Sequence, residues 1–151
     1  MGKIHATVVA LESQGIMFVG PSGSGKSDLA LRFLDQGAQL VSDDYVIVAN
    51  EGGHLIARPP GTIAGLMEVR GMGVVKTPYL PEISLSLRCD LMPASEMERL
   101  PDGPQLVEME GVQLPRIYLD ASSASAKARV RFALQHLDAL LSGPDQKGIL
   151  S

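Results

Sequence analysis

Apolar residues in the first third of the chain come in short runs set apart by polar punctuation. Residues 7–11 (TVVAL) and 15–19 (GIMFV) flank Glu12-Ser13-Gln14, which predicts a hairpin of two buried strands. A turn rich in Gly and Ser follows. In residues 28–36, Ala30, Phe33 and Leu34 then share one helical face, and Gly37 supplies a stop. Residues 39–42 (QLVS) read as a brief strand that ends at Asp43-Asp44. Residues 45–49 and 54–57 flank Asn50-Glu51-Gly52-Gly53, a second hairpin.

Beyond the break at Pro59-Pro60-Gly61, residues 62–73 predict a short helix followed by a Gly-rich loop. Ile83, Leu85, Leu87, Cys89 and Leu91 alternate strictly, the pattern of a half-buried strand. Residues 106–109 and 112–119 read as strands around Gly111. Within 123–141, apolar positions 126, 130, 133, 134, 137 and 141 predict an amphipathic C-terminal helix covering the sheet. Gly143-Pro144 ends it, and 142–151 read as a frayed tail. The fold class expected is α/β, a phosphate-loop core with a mixed sheet and hairpins.

Composition narrows the function. A chain of 151 residues with 45% hydrophobic and 20% charged side chains can bury the core of one domain. No run approaches the ~18 apolar residues of a membrane span, and the N-terminus has no secretory apolar region, so a cytoplasmic protein is expected. Thirteen basic against seventeen acidic side chains, three Tyr, three Phe and no Trp argue against nucleic-acid binding. The single Cys89 excludes an internal disulfide and a Cys-based zinc site.

The most specific signal is Gly20-x-x-x-x-Gly25-Lys26-Ser27, a Walker A pattern with an apolar strand before it and a helix after. Glycines at 20, 23 and 25 let successive N–H groups converge on a phosphate, and the helix starting near Lys26 adds its positive end. The nucleotide-binding candidates are therefore Gly20, Ser22, Gly23, Ser24, Gly25, Lys26 and Ser27. Lys26 would bridge the outer phosphates and Ser27 would ligate Mg²⁺. The guanine-reading segment of GTPases is missing, and Leu141-Ser142-Gly143-Pro144-Asp145-Gln146 only echoes an ABC signature.

Asp43-Asp44 follows the strand after the loop helix. In a parallel sheet, the ends of neighbouring strands share one crevice, which would bring this pair to the metal and phosphates. Successive strand residues point to opposite sides, so only one can face the terminal phosphate directly. A carboxylate there can take the proton of an attacking hydroxyl. In Glu68-Val69-Arg70-Gly71-Met72-Gly73, Glu68 is a candidate second metal contact, and a salt-bridged surface turn is the other reading.

Four blocks in order resemble the HPr kinase/phosphorylase family: Ile4-His5-Ala6, the Walker A loop, Leu40-Val41-Ser42-Asp43-Asp44, and residues 67–75 (MEVRGMGVV). The resemblance covers roughly residues 4–120 and the catalytic domain alone. It implies one domain over 1–151 without the family's N-terminal domain, and a nucleotide site akin to that of phosphoenolpyruvate carboxykinase. It implies ATP and Mg²⁺ as cofactors, a serine of HPr as substrate, and a homo-oligomer, since the family forms hexamers. It further implies Asp44 as general base in phosphorylation and general acid in the reverse reaction. Glu68 becomes a metal ligand beside Ser27 and Asp43, and His5 and Arg99 become active-site residues. The family's dephosphorylation loop resembles Pro-Val-Arg-Pro-Gly-Arg-Asn. The corresponding residues 113–119 (QLPRIYL) keep only Pro115-Arg116, so the kinase is the better supported activity. The other readings are a phosphate-loop small-molecule kinase, with its substrate pocket near residues 62–80, and a non-catalytic ATP sensor.

Overall fold

The computed structural model describes residues 2–97 and 105–138. Within them, short strands β1 (Gly2–Ile4), β2 (Ala6–Leu11) and β3 (Gln14–Val19) lead into helix α1 (Lys26–Leu34). Five more strands follow: β4 (Gln39–Ser42), β5 (Val46–Glu51), β6 (His54–Arg58), β7 (Leu66–Val69) and β8 (Gly73–Lys76). Strands β9 (Ile83–Leu91), β10 (Gln105–Met109) and β11 (Val112–Leu119) precede helix α2 (Ala126–Gln135). The fold is α/β, as expected.

Hydrogen bonding orders the strands β1-β5-β6-β9-β3-β2-β4. β9 is shared. Its first residues pair with β6, residues 85–90 pair in parallel with β3, and its last four pair in parallel with β11. β10 and β11 form an antiparallel hairpin beside it. β2 is buried at every position because it has a core on each face. On one face Val9 and Leu11 meet Leu29 and Phe33 of α1 and Val130 of α2. On the other, Val8 and Ala10 meet Val46 and Val48 of β5 and Leu55 of β6.

The helix expected after the Gly- and Ser-rich turn and the C-terminal helix both form. In α1, Leu29, Ala30 and Phe33 are fully buried, and Phe33 stacks on Phe18 of β3 with ring centroids 5.8 Å apart. Gly37 closes the helix at φ 98°, with its own N–H on Leu34 and that of Ala38 on Phe33. In α2 the buried residues are Ala126, Val130 and Ala133, three of the predicted apolar positions. Leu141, Gly143-Pro144 and the rest of the tail lie outside the described residues.

Three expectations change. First, residues 62–73 form no helix: β7 and β8 make an antiparallel hairpin with Val69 opposite Gly73. β-branched Val69, Val74 and Val75 flank a glycine turn, and that chemistry outweighs the helical reading. Second, β4 does not neighbour β3 in a parallel sheet. β2 lies between them, antiparallel to both, so β3 and β4 still run in the same direction and end at the same edge. Third, the alternating apolar residues of β9 do not share one face. The register with β3 skips Ser86, and Leu85 joins the core against β5 and β6 while Leu87, Cys89 and Leu91 join the core under the helices. Residues 113–119 lie within β11, in keeping with the strand expected over 112–119.

Candidate functional site

The sheet edge where β3 and β4 end and β2 begins carries the predicted chemistry. A cleft of about 620 Å³ opens there. Its floor is the loop from Ser22 to Ser27, and its walls include His5, Asp44, Glu68, Arg70, Arg32 and Ser122.

The phosphate loop takes the shape its glycines allow. Gly23 and Gly25 have φ of 83° and 98°, the left-handed region open to glycine. The helix starts immediately afterwards, with Leu29 N–H on the Gly25 carbonyl at 2.9 Å. Asp28 stands in the first turn. Gly20 answers a different need: a Cβ there would sit 2.6 Å from Ser24 Oγ. Ser24 turns its hydroxyl inward against Gly20, so it is the backbone of Ser24 that the loop offers a ligand.

Lys26 is only 7% exposed. Its ammonium donates to the carbonyls of Gly20 at 2.6 Å and Pro21 at 3.0 Å. Burial holds its pKa below the usual lysine value, partly opposed by the carboxylates of Asp44 and Asp43.

The two adjacent aspartates have opposite surroundings. Asp43 is 4% exposed and fully engaged. Its Oδ1 accepts from Ser27 Oγ at 2.6 Å and Thr7 Oγ1 at 3.0 Å, and its Oδ2 accepts from the Glu68 N–H at 3.1 Å. Asp44 points into the cleft, has φ 72°, and lies with Oδ1 2.8 Å from His5 Nε2. Ser42 Oγ donates to the Tyr45 carbonyl across the bend that separates them from β5. The hard oxygen donors of Ser27, Asp43 and Glu68 fit a divalent cation such as Mg²⁺. No group of three His, Cys, Asp or Glu side chains that could hold a metal occurs among the described residues. Magnesium needs none, since it is bound through one or two carboxylates together with substrate phosphates.

On the other side of the phosphate loop lies a segment the sequence did not single out, residues 120–125 between β11 and α2. Asp120 organises it, accepting from Ser122 Oγ at 2.6 Å, Ser122 N–H at 2.9 Å and Ala94 N–H at 3.0 Å. Those bonds, the Ser122 hydroxyl first, hold the Asp120 carboxyl below the usual range. Arg32 of α1 donates to the Ala121 carbonyl and ties this loop to the phosphate-loop helix. Only proximity in space reveals it; the Asp-x-Ser turn is the sole local signal.

The structure brings together His5, Ser22, Gly23, Gly25, Lys26, Ser27, Asp44 and Glu68 at the cleft, with Asp43 buried beneath it and Gly20 behind the loop. Arg99 lies outside the described residues. Arg116 does not reach the cleft: it is 3.4 Å from Asp90 and stacked over Tyr118. Sequence reasoning missed Thr7. Its signal was a polar side chain inside the otherwise apolar run TVVAL.

The chain is similar to several known proteins. The chain is 38% identical over 82 residues to an HPr kinase/phosphorylase of Clostridium beijerinckii, covering 54% of this chain and 27% of that protein. It is 30% identical over 126 residues to one from Streptococcus thermophilus, covering 76% of this chain and 41% of that protein. The chain thus spans well under half the length of these relatives. The solved HPr(Ser) kinase/phosphatase from Coxiella burnetii shares the fold, with TM-score 0.79 at 22% identity over 90% of this chain and 95% of that one. The family model for the HPr Serine kinase C-terminal domain matches residues 1–131, and the chain belongs to that family.

Proposed function

We propose that this chain is an ATP- and Mg²⁺-dependent protein kinase that phosphorylates a serine of the phosphocarrier protein HPr. The observation that carries the reading is the division of labour between the paired aspartates. Asp43 is tied to Ser27 at the phosphate loop, while Asp44 stands free of the loop, in the cleft and against His5.

The geometry supports a role for each residue. Backbone N–H groups of the loop cradle the phosphates, and Lys26 leaves its two carbonyls for the stronger charge of the phosphoryl oxygens. Ser27, Asp43 and Glu68 would hold Mg²⁺, which when bound neutralises charge on the transferring group. Asp44 accepts the proton of the serine hydroxyl as its oxygen bonds to phosphorus. His5 orients that carboxylate through its ring N–H. Arg99 is a further candidate for stabilising the transferred group. In the reverse direction inorganic phosphate attacks the seryl phosphate, and Asp44 returns the proton to the leaving serine. With residues 113–119 in a strand and Arg116 turned away from the cleft, that reverse activity has less support than the kinase.

The test is the intact mass of the host's HPr after incubation with this protein, ATP and Mg²⁺. One phosphoryl group on a serine is expected, with its removal on addition of excess phosphate as the check on reversal. Tight ATP binding with no added mass would overturn the assignment and leave a small-molecule kinase or an ATP sensor.

A further inference from the structure

Thr7 is a fully buried hydroxyl on β2, and it touches both aspartates. Its Oγ1 donates to Asp43 Oδ1 at 3.0 Å and accepts the backbone N–H of Asp44 at 3.2 Å. A hydroxyl has one proton to give and lone pairs to receive, so a single atom serves both contacts at once. The first contact adds a donor from β2 to those that Ser27 and the Glu68 backbone supply to Asp43. The second anchors Asp44 where its backbone turns left-handed, at φ 72°. That conformation is uncommon outside glycine, and in it the Asp44 side chain meets His5 while that of Asp43 meets Ser27.

We propose that Thr7 is a positioning residue for phosphoryl transfer, a single hydroxyl that sets the metal-binding carboxylate and the general base relative to each other. The inference rests on the reading of Asp43 as metal ligand and Asp44 as base. Partners that orient a ligating carboxylate commonly change metal affinity or activity by about 10- to 100-fold when removed. Valine has the shape of threonine without the hydroxyl and suits a strand. Thr7→Val therefore leaves Asp43 short of a donor and the Asp44 N–H without an acceptor, while the surrounding core keeps its packing.

The test uses the full chain with Mn²⁺ as the metal probe. Metal-free ATP affinity of Thr7→Val should stay within about twofold of wild type, because the phosphate loop is untouched. Affinity for Mn²⁺ in the presence of ADP, read by electron paramagnetic resonance, should fall about tenfold. The kcat for HPr phosphorylation should fall about 10- to 100-fold with little change in KM for HPr, and Thr7→Ser should restore both readouts. If circular dichroism finds Thr7→Val unfolded, Thr7→Cys carries the same expectations. Wild-type Mn²⁺ affinity and kcat in the folded variant would overturn the inference. If Asp43→Asn loses Mn²⁺ while Thr7→Val does not, the role of Thr7 alone fails. If wild type neither binds Mn²⁺ nor transfers phosphate, the underlying functional reading fails instead.

Discussion

His5 and Asp44 are 39 positions apart, yet the imidazole Nε2 lies 2.8 Å from the carboxylate Oδ1. Two strand pairings bring them there: Ile4 of β1 lies opposite Val46 of β5, and Val8 of β2 lies opposite Ser42 of β4. Tyr45 stacks on the His5 ring at 5.0 Å between centroids, and Lys3 sits 4.8 Å from the Tyr45 ring. The imidazole is thus held from its face while its edge meets Asp44.

From that pairing comes the sharpest prediction. Asp44→Asn keeps the shape of the side chain but cannot take a proton. ATP affinity by calorimetry should hold near wild type, while single-turnover transfer to HPr should drop about 10²- to 10⁴-fold. Unchanged turnover would remove Asp44 as the base.

Lys26→Ala removes an ammonium that is bonded to the phosphate loop at Gly20 and Pro21. Charge-assisted bonds contribute about 1.5–3 kcal/mol, so ATP affinity should fall about 10- to 100-fold. Normal affinity in this variant would mean that the loop is not the nucleotide site.

Two glycines of the loop separate strain from crowding. Alanine at Gly23 meets nothing within 4 Å, so it carries only the left-handed backbone cost, about 1–2 kcal/mol. Alanine at Gly25 carries that cost and also puts its Cβ 2.9 Å from the Ala121 side chain, adding about 1–3 kcal/mol. Urea unfolding should rank Gly25→Ala below Gly23→Ala in stability, and ATP affinity should follow the same order. Equal midpoints would show that Ala121 yields freely.

Cys89 is fully buried, and burial, with a smaller contribution from the Asp90 carboxylate, pushes its thiol well above the ordinary value. Native protein at pH 8.5 should resist a thiol-disulfide reagent and react fully once unfolded in urea. The sign for stability is fixed by the direction of the shift. Below the ordinary thiol pKa both states hold the proton and the contribution is full. Above it the unfolded chain ionises first, so stability falls as pH rises. Urea midpoints between pH 8 and pH 10 should therefore drop more for wild type than for Cys89→Ala. Rapid labelling of the folded protein would contradict the burial.

Much of this protein was determined locally and could be read from the chain. The Walker A spacing, the Gly37 stop and the hairpins around residues 12–13 and 110–111 depend on near neighbours and on glycine or small-residue chemistry, so the sequence alone predicts them. So does the inward face of α2, because helical period and apolar spacing coincide. Residues 62–73 misled because Gly-rich, β-branched segments of that length fit two local structures, and pairing across the turn chose the hairpin.

The site was legible as a list of groups, not as an arrangement. Alternation along a strand predicts that only one of two adjacent aspartates can face the cleft. Which of them is buried against Ser27 and which meets His5 was decided by β2 lying between β3 and β4. Thr7 gained its place between the two carboxylates in the same way, and the loop at residues 120–125 reached the phosphate loop only through the parallel pairing of β11 with β9. Those relations depend on strand order and on a register skip at Ser86. Both are set by how two cores fill on opposite faces of one sheet, a balance of non-local burial that no short stretch of sequence contains.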